Sequence, residues 1–368
     1  MKFLIAGDFV INRKYPMENI EDGLYDLFNS SDFNIVNLEA PVTKSAQKAN
    51  KTGPHHKAHE GSTLQILKKL NINMVTLANN HILDYGNEGV VDTIQFCEAN
   101  SIQYVGAGET KERAARIAYL DSSEQKIAFL NFSENEWSSA GETSAGGNGM
   151  DLIDDISAIR EARLKADFVF VIVHGGHEYY NLPSPRMQKQ YRFYIENGAD
   201  IVVGHHPHCI SGSEIFQGKP IFYSLGNFLF TSESRYEDWY RGAVLEVNLS
   251  GNSLSTKLHY VQQQLRTFKM GKIENAYKVE DEVVVLNKII ADPRLLEEHW
   301  DRFVEKKAKQ FANYWSLFSI FGRKIKSLFL RMGVDGLNRK KASLYYNLIR
   351  CEAHRDLTLR FFKNKLDR

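Results

Sequence analysis

The stretch DIVVGHHPH, residues 200–208, carries an apolar run straight into His205, His206 and His208. Ile201, Val202 and Val203 are β-branched and bounded by a turn signal, which predicts a short strand covered on both faces. Consecutive imidazoles directly after such a strand have little structural purpose. The run FVFVIVH from Phe168 repeats the pattern and ends on His174. Further outward lie KFLIAG from Lys2, FNIVNLE from Phe33, NMVTLA from Asn73 and KIAFLNF from Lys126, again continuous rather than alternating. Helix-like segments at 62–70, 88–99, 151–165 and 184–197 fall between strands. Strand alternating with helix predicts an α/β layered sheet.

Polar residues cluster just past the C-terminal ends of these strands: Asp8, Asn37 with Glu39, Asn79-Asn80-His81, His174, and His205 to His208. In open α/β sheets ligands bind in the crevice outside the strand carboxyl ends, so segments remote in sequence converge there. Carboxylate oxygen, amide oxygen and imidazole nitrogen together suit one or two divalent ions such as Zn, Mn or Fe, and Glu39 can bridge two of them. Two ions about 3.5–4 Å apart activate a water and stabilise the attacking and leaving oxygens of an in-line displacement. Hydrolysis is the expected chemistry. Each residue also has a plain structural reading: Asp8 as a cap or turn residue, Glu39 as a loop acid, Asn79-Asn80 as turn formers, His174 as a core histidine.

The chain is long enough, at 368 residues, to bury a substantial core. Cys97, Cys209 and Cys351 are far apart and in no metal-binding spacing, which argues against a disulfide framework and a thiolate zinc site. The opening MKFLIAGDFV has no long apolar stretch, and no run approaches a spanning helix, so a cytoplasmic protein is expected. After Pro207 the closely spaced PIFYSLGNFLF from Pro220, AVLEVNL from Ala243 and LSTKLHYVQQQ from Leu254 predict an antiparallel portion completing the sheets. The main domain is expected over 1–266, with a mainly helical extension over 267–368. Charge is uneven: 17 basic against 6 acidic residues follow position 300, leaving the earlier part net acidic.

The ordered set GD at Gly7, NLEAP from Asn37, ANNHILDYG from Ala78, HGGHEY from His174, GHHPH from Gly204 and YSLGNF from Tyr223 resembles the CapA/PgsA family of capsule and poly-γ-glutamate synthesis proteins. That family belongs to the calcineurin-like metallophosphatase superfamily. The resemblance spans residues 2–230 and implies a sandwich of two mixed sheets flanked by helices. It also implies that Asp8 is the first metal-binding aspartate and Glu39 the bridging carboxylate. Asn80 and His174 match second-metal ligands, and His206 with His208 match the paired histidines of the last motif. His81 matches the histidine that acts on substrate or leaving group, with Asp84 able to orient it. Val10 stands where the superfamily has a histidine, so one metal has one ligand fewer.

Around this set, His55, His56, Lys57 and His59 form a loop suited to an anionic substrate, or simply a solvated polar loop. His177 and Glu178 follow His174 and are candidates for substrate contact, with surface exposure as the alternative; Asn227 is a candidate buttress. The basic segment 315–332 is suited either to an anionic membrane interface, making the protein peripheral at the inner membrane face, or to packing on the main domain. Nucleic acid is not expected as a partner, because no recognition motif accompanies the charge. Two functions follow. One is a metal-dependent hydrolase of an anionic polymer or phosphate-containing envelope precursor. The other is a non-catalytic polymer- or metal-binding member of a capsule-synthesis complex.

Overall fold

The computed structural model describes residues 1–51, 53–315 and 339–366. In chain order its strands begin with β1 (Lys2–Val10), β2 (Phe33–Leu38), β3 (Ile72–Thr76), β4 (Gln103–Val105), β5 (Ala107–Gly108), β6 (Ala118–Asp121), β7 (Lys126–Ser133) and β8 (Gly146–Gly147). They continue with β9 (Phe168–His174), β10 (Ile201–His205), β11 (Ser213–Phe216), β12 (Lys219–Phe222), β13 (Asn227–Phe230), β14 (Arg241–Ser250), β15 (Ser253–Gln263) and β16 (Met270–Lys272). One mixed sheet has the order β16-β15-β14-β1-β2-β3-β4, with β13 also pairing β1; a second has the order β11-β12-β10-β9-β7-β6. β1 to β4 are parallel neighbours, as are β7, β9, β10 and β12. This is the two-sheet α/β sandwich the sequence predicts.

Alternate residues of each continuous run serve different cores. Phe3 and Ile5 of β1 face the second sheet and pack with Phe129, Phe170 and Val203, whereas Leu4 and Ala6 face outward into a separate cluster with Phe28, Leu67 and Val90. Ring centroids of Phe3 and Phe170 are 5.4 Å apart, and those of Phe129 and Phe170 are 5.3 Å apart. Both faces are covered, which is why these strands carry no polar alternation. The outer face of the second sheet is covered by helices Leu152–Lys165 and Pro185–Glu196, started by the side-chain caps of Asp151 and Ser184. Each cap accepts from backbone N–H groups of the first turn.

The C-terminal helices join that same core. Leu296, Trp300 and Val304 of helix Pro293–Trp315 and Leu348, Leu357 and Phe361 of the last two helices cluster with Tyr191 and Val202. The basic segment 315–332 lies, beyond Trp315, outside the described residues. Among the described residues no helix is long and apolar enough to cross a membrane.

One expectation needs correction. PIFYSLGNFLF is not a single strand of an antiparallel portion: Lys219–Phe222 runs parallel to β10 in the second sheet, and Asn227–Phe230 runs parallel to β1 in the first. The break at residues 223–226 carries the chain between sheets, and Gly226 takes φ 68° there. The antiparallel pairing expected after Pro207 lies in β11 with β12 and in β14, β15 and β16.

Phe129 is fully buried between the sheets. Phe129→Ala is expected to destabilise the fold by about 3–5 kcal/mol, read as a lower urea midpoint at unchanged slope. A loss under about 1 kcal/mol would show that the inter-sheet aromatic layer is not a principal core.

Candidate metal centre

Close backbone approaches shape the strand ends that carry the site. A Cβ at Gly7 would lie 2.0 Å from the Gly226 carbonyl oxygen, and one at Gly204 would lie 2.2 Å from that of Tyr223. Only glycine permits either contact. The β1 register shifts on either side of Asp8, before it against β2 and after it against β13, while Asp8 itself pairs with Asn37 and Asn227. After β10 the chain turns sharply, with His206 at φ 97° and His208 at φ 55°. Such backbone costs about 1–3 kcal/mol per residue and persists only where the surroundings impose it.

The side chains that result are buried and converge. Asn80 Oδ1 lies 3.0 Å, His206 Nδ1 3.1 Å and Glu39 Oε1 3.4 Å from His174 Nε2. Bonds of about 2.0–2.2 Å to one ion, at tetrahedral or octahedral angles, set neighbouring donors about 3.0–3.5 Å apart. The three spacings from His174 Nε2 fall in the range that donors to one divalent ion would show. Beside them His208 Nδ1 lies 3.4 Å from Asp8 Oδ2, and His208 Nε2 3.9 Å from Glu39 Oε1. Glu39, His206 and His208 also offer donor atoms that all lie within 4.8 Å of one another. Glu39 is fully buried, and neither of its carboxylate oxygens has a hydrogen-bond partner. An unpartnered buried carboxylate facing imidazoles is the arrangement a bridging ligand requires.

Electrostatics mark the same centre. Burial first, then the neighbouring Asp8 charge, pushes Glu39 well above the usual carboxylate range. Burial opposes ionisation of Asp8 as well, yet the hydrogen bond and charge of His208, with His174 and His205, hold it below its ordinary value. Burial lowers His174 and His205 to about 4 each and holds His206 well below the ordinary imidazole range. These rings are neutral near pH 7, as metal-binding imidazoles must be. His208 goes the other way: burial disfavours its cation, but Glu39 and Asp8 lift it above the ordinary imidazole range.

His81 and Asp84 form a dyad, with Nδ1 and Oδ2 2.7 Å apart. Lys51 pairs with the other oxygen of Asp84 and lies 3.2 Å from His81 Nδ1. Burial raises Asp84 to about 6 despite that lysine. The His56 ring sits 4.2 Å from that of His81, and its backbone N–H donates to Asp84.

Other sequence candidates are placed elsewhere. His55 contacts the Ala49 carbonyl, Lys57 donates to the Ser45 carbonyl over the Tyr85 ring, and His59 caps helix Glu60–Lys69. His177 packs on Trp300 and Phe303. Glu178 is exposed at the rim, its charge reaching Glu39 and His208. Asn227 Oδ1 meets His208 Nδ1 at 2.9 Å while its amide donates to the Trp239 carbonyl, the buttress expected of it.

Four residues not assigned from sequence belong to the arrangement. Asn37 Nδ2 donates to Asp8 Oδ1 at 2.7 Å and lies 3.1 Å from His174 Nδ1, orienting both. His205 Nδ1 lies 3.7 Å from Asp8 Oδ1. Glu136 Oε1 comes within 4.0 Å of His206 Nε2. Glu136 follows β7, so the strand-end rule applies to it too; Lys51, in a polar loop, carries no such signal.

A family model described as "Bacterial capsule synthesis protein PGA_cap" matches residues 2–232. The chain is 33% identical over 243 residues to "Capsule biosynthesis protein CapA" of Bacillus anthracis, covering 61% of this chain and 59% of that one. It is 36% identical over 237 residues to "PGA biosynthesis protein CapA" of Bacillus subtilis (strain 168), covering 61% and 62% respectively. The chain thus spans about three fifths of these relatives' length. Among solved structures, a hypothetical protein from Thermus thermophilus aligns with TM-score 0.48 and 15% identity, covering 71% of this chain and 99% of that one.

If the donors hold an ion, purified protein should contain one or two equivalents of a transition metal by elemental mass spectrometry. His206→Ala and Glu39→Gln should each lower that content by about tenfold or more. A wild type that is metal-free and takes up no Zn, Mn or Fe would remove the basis for this centre.

Proposed function

Since this chain belongs to the bacterial capsule synthesis protein family PGA_cap, we propose that it is a metal-dependent hydrolase acting on an anionic polymer or phosphate-containing precursor of the cell envelope. Residues 1–266 would form most of its hydrolase body; within 267–368, β16 (Met270–Lys272) still completes the first sheet, and the helices follow it. The observation that carries the reading is the four-donor set around His174 Nε2, with both oxygens of Glu39 unpartnered, directly beside the His81–Asp84 dyad.

Asn80, His174, His206 and Glu39 would hold one ion, and Asp8, His208 and Glu39 a second. A divalent ion there supplies Lewis acidity toward the bond to be cut and acidifies water. The protein's own contribution is positional. Asn37 orients Asp8 and His174, Asn227 orients His208, and Asp84 with Lys51 fixes the ring of His81. His81 transfers the proton at the leaving group.

A second reading, a polymer- or metal-binding member of a capsule-synthesis complex without turnover, is favoured by Val10. Its side chain is fully buried among Phe9, Phe230 and other apolar groups and offers no donor. The PGA and capsule synthesis names of the relatives suit either reading.

Metal-reconstituted wild type should hydrolyse a generic phosphodiester or poly-γ-glutamate. His81→Ala should cut kcat by about 10²–10⁴-fold while metal content is kept, and Asn80→Ala should lose both. A metal-loaded wild type that turns over neither substrate but binds the polymer, with His81→Ala binding equally, would establish the second reading instead.

A further inference from the structure

The terminal helix Glu352–Leu366 lies outside the residues matched by the family model, yet its bonds lead to the candidate centre. Its Glu352 grips the loop 134–139 directly, and its Asp356 reaches that loop through Arg186. Asn135 donates from its backbone nitrogen and from Nδ2 to the two oxygens of Glu352, at 2.8 and 2.9 Å. Arg186 donates to Asp356 Oδ2 at 2.6 Å and to Glu134 Oε1 at 2.5 Å, and Ser184 Oγ also donates to Asp356. Glu134 is buried, so the arginine is the counter-charge that lets it stay there.

The inner side of the same loop meets the donor set. Glu136 Oε1 stands 4.0 Å from His206 Nε2. Ser138 Oγ donates to the carbonyl of Asn79 at 2.6 Å, next to Asn80. The Glu134 backbone nitrogen donates to the carbonyl of His174 at 3.0 Å. Three of the four donors around one ion position are thus touched, directly or through an adjacent peptide, by a loop bolted to the terminal helix.

We infer that helix Glu352–Leu366 is a positioning element of the metal centre: through Glu352 and Asp356 it fixes loop 134–139, which in turn sets Asn80, His174 and His206 at their donor spacing. The inference rests on the metal-centre reading above. Helix and centre are joined by hydrogen bonds between ionised and neutral groups of fixed geometry, the kind that transmits position rather than mere proximity. Removing Glu352 leaves the backbone N–H of Asn135 without that partner and its Nδ2 with only the Met150 carbonyl, at 2.5 Å, so the loop loses its direct tie to the helix.

The test uses full-length protein with Co²⁺ as probe, followed by visible d–d absorption, and amide hydrogen exchange of segments 79–81 and 134–139. Glu352→Ala is expected to weaken Co²⁺ binding by about tenfold or more, alter the d–d band and speed exchange in both segments. Glu352→Gln, which keeps an acceptor for Asn135, should recover most of the affinity. Arg360→Ala breaks the ion pairs of the same helix to Glu297 and Asp301, away from the loop, and should leave the Co²⁺ spectrum unchanged. Wild-type affinity, spectrum and exchange in Glu352→Ala would overturn the inference, as would an equal spectral change in Arg360→Ala. A wild type that binds no Co²⁺ overturns the metal reading instead; exchange then decides, faster exchange at 79–81 in Glu352→Ala upholding the positioning role and unchanged exchange refuting it.

Discussion

Asp8 and Glu39 are both fully buried at the ends of the adjacent parallel strands β1 and β2, and the rest of the centre is arranged around that pair of acids. Taking an ionised carboxylate out of water costs several kcal/mol unless charge or hydrogen bonds replace the lost hydration. Asp8 has its replacement, from Asn37 Nδ2 and the His206 backbone N–H. Glu39 accepts no hydrogen bond. His208, drawn above its ordinary range by both acids, is the cationic neighbour they share. On the proposed reading, a divalent ion would give Glu39 a partner and would be held also by His174 and His206, whose cations burial disfavours. The close approaches at Gly7 and Gly204 serve the same end, because they bring strand ends from two different sheets into one crevice.

The fold and this crevice were legible because they rest on local signals. Runs such as Phe3 to Ala6 and Phe168 to Val173 have no polar alternation, and the structure shows why: each faces a core on both sides. The ligand candidates were legible because polar residues at the end of a doubly covered strand have few structural uses. Elsewhere, long-range packing decided. His59 and His177 look alike in sequence to the ligands, but one became a helix cap and the other was covered by Trp300 and Phe303, more than a hundred residues away. The break within PIFYSLGNFLF was hidden because both halves are apolar strands; only the topology assigns them to different sheets. Lys51, Glu352 and Asp356 are ordinary charged residues until the fold supplies their partners.

Val10 makes the two ion positions unequal. The position around His174 Nε2 has four protein donors at ligand spacing, whereas the other is left with Asp8, His208 and the shared Glu39. Val10 pairs with Phe230 and faces apolar side chains, and His208 is boxed by Phe230 and Trp239, while His205 Nδ1 stands 3.7 Å from Asp8 Oδ1. On the proposed reading, the larger donor set would favour filling of the first position before the second. The poorer position then has open coordination, which in a hydrolase is where an oxygen of the substrate enters.

The same inequality bears on His81. A proton donor must carry its proton before the reaction, yet burial and the Lys51 ammonium hold His81 well below the imidazole range, and an ion beside Asn80 would lower it again. Asp84 alone does not offset this, because the lysine already claims its other oxygen. What can restore the proton is a negative charge brought close to the ring by the ligand itself. A site built in this way suits an anionic substrate: the group that is bound supplies the field that charges the acid. A neutral substrate would leave His81 as a hydrogen-bond partner without a proton to give. If His81 is the proton donor proposed above, substrate charge and proton transfer would be linked through this one side chain, without a separate basic pocket.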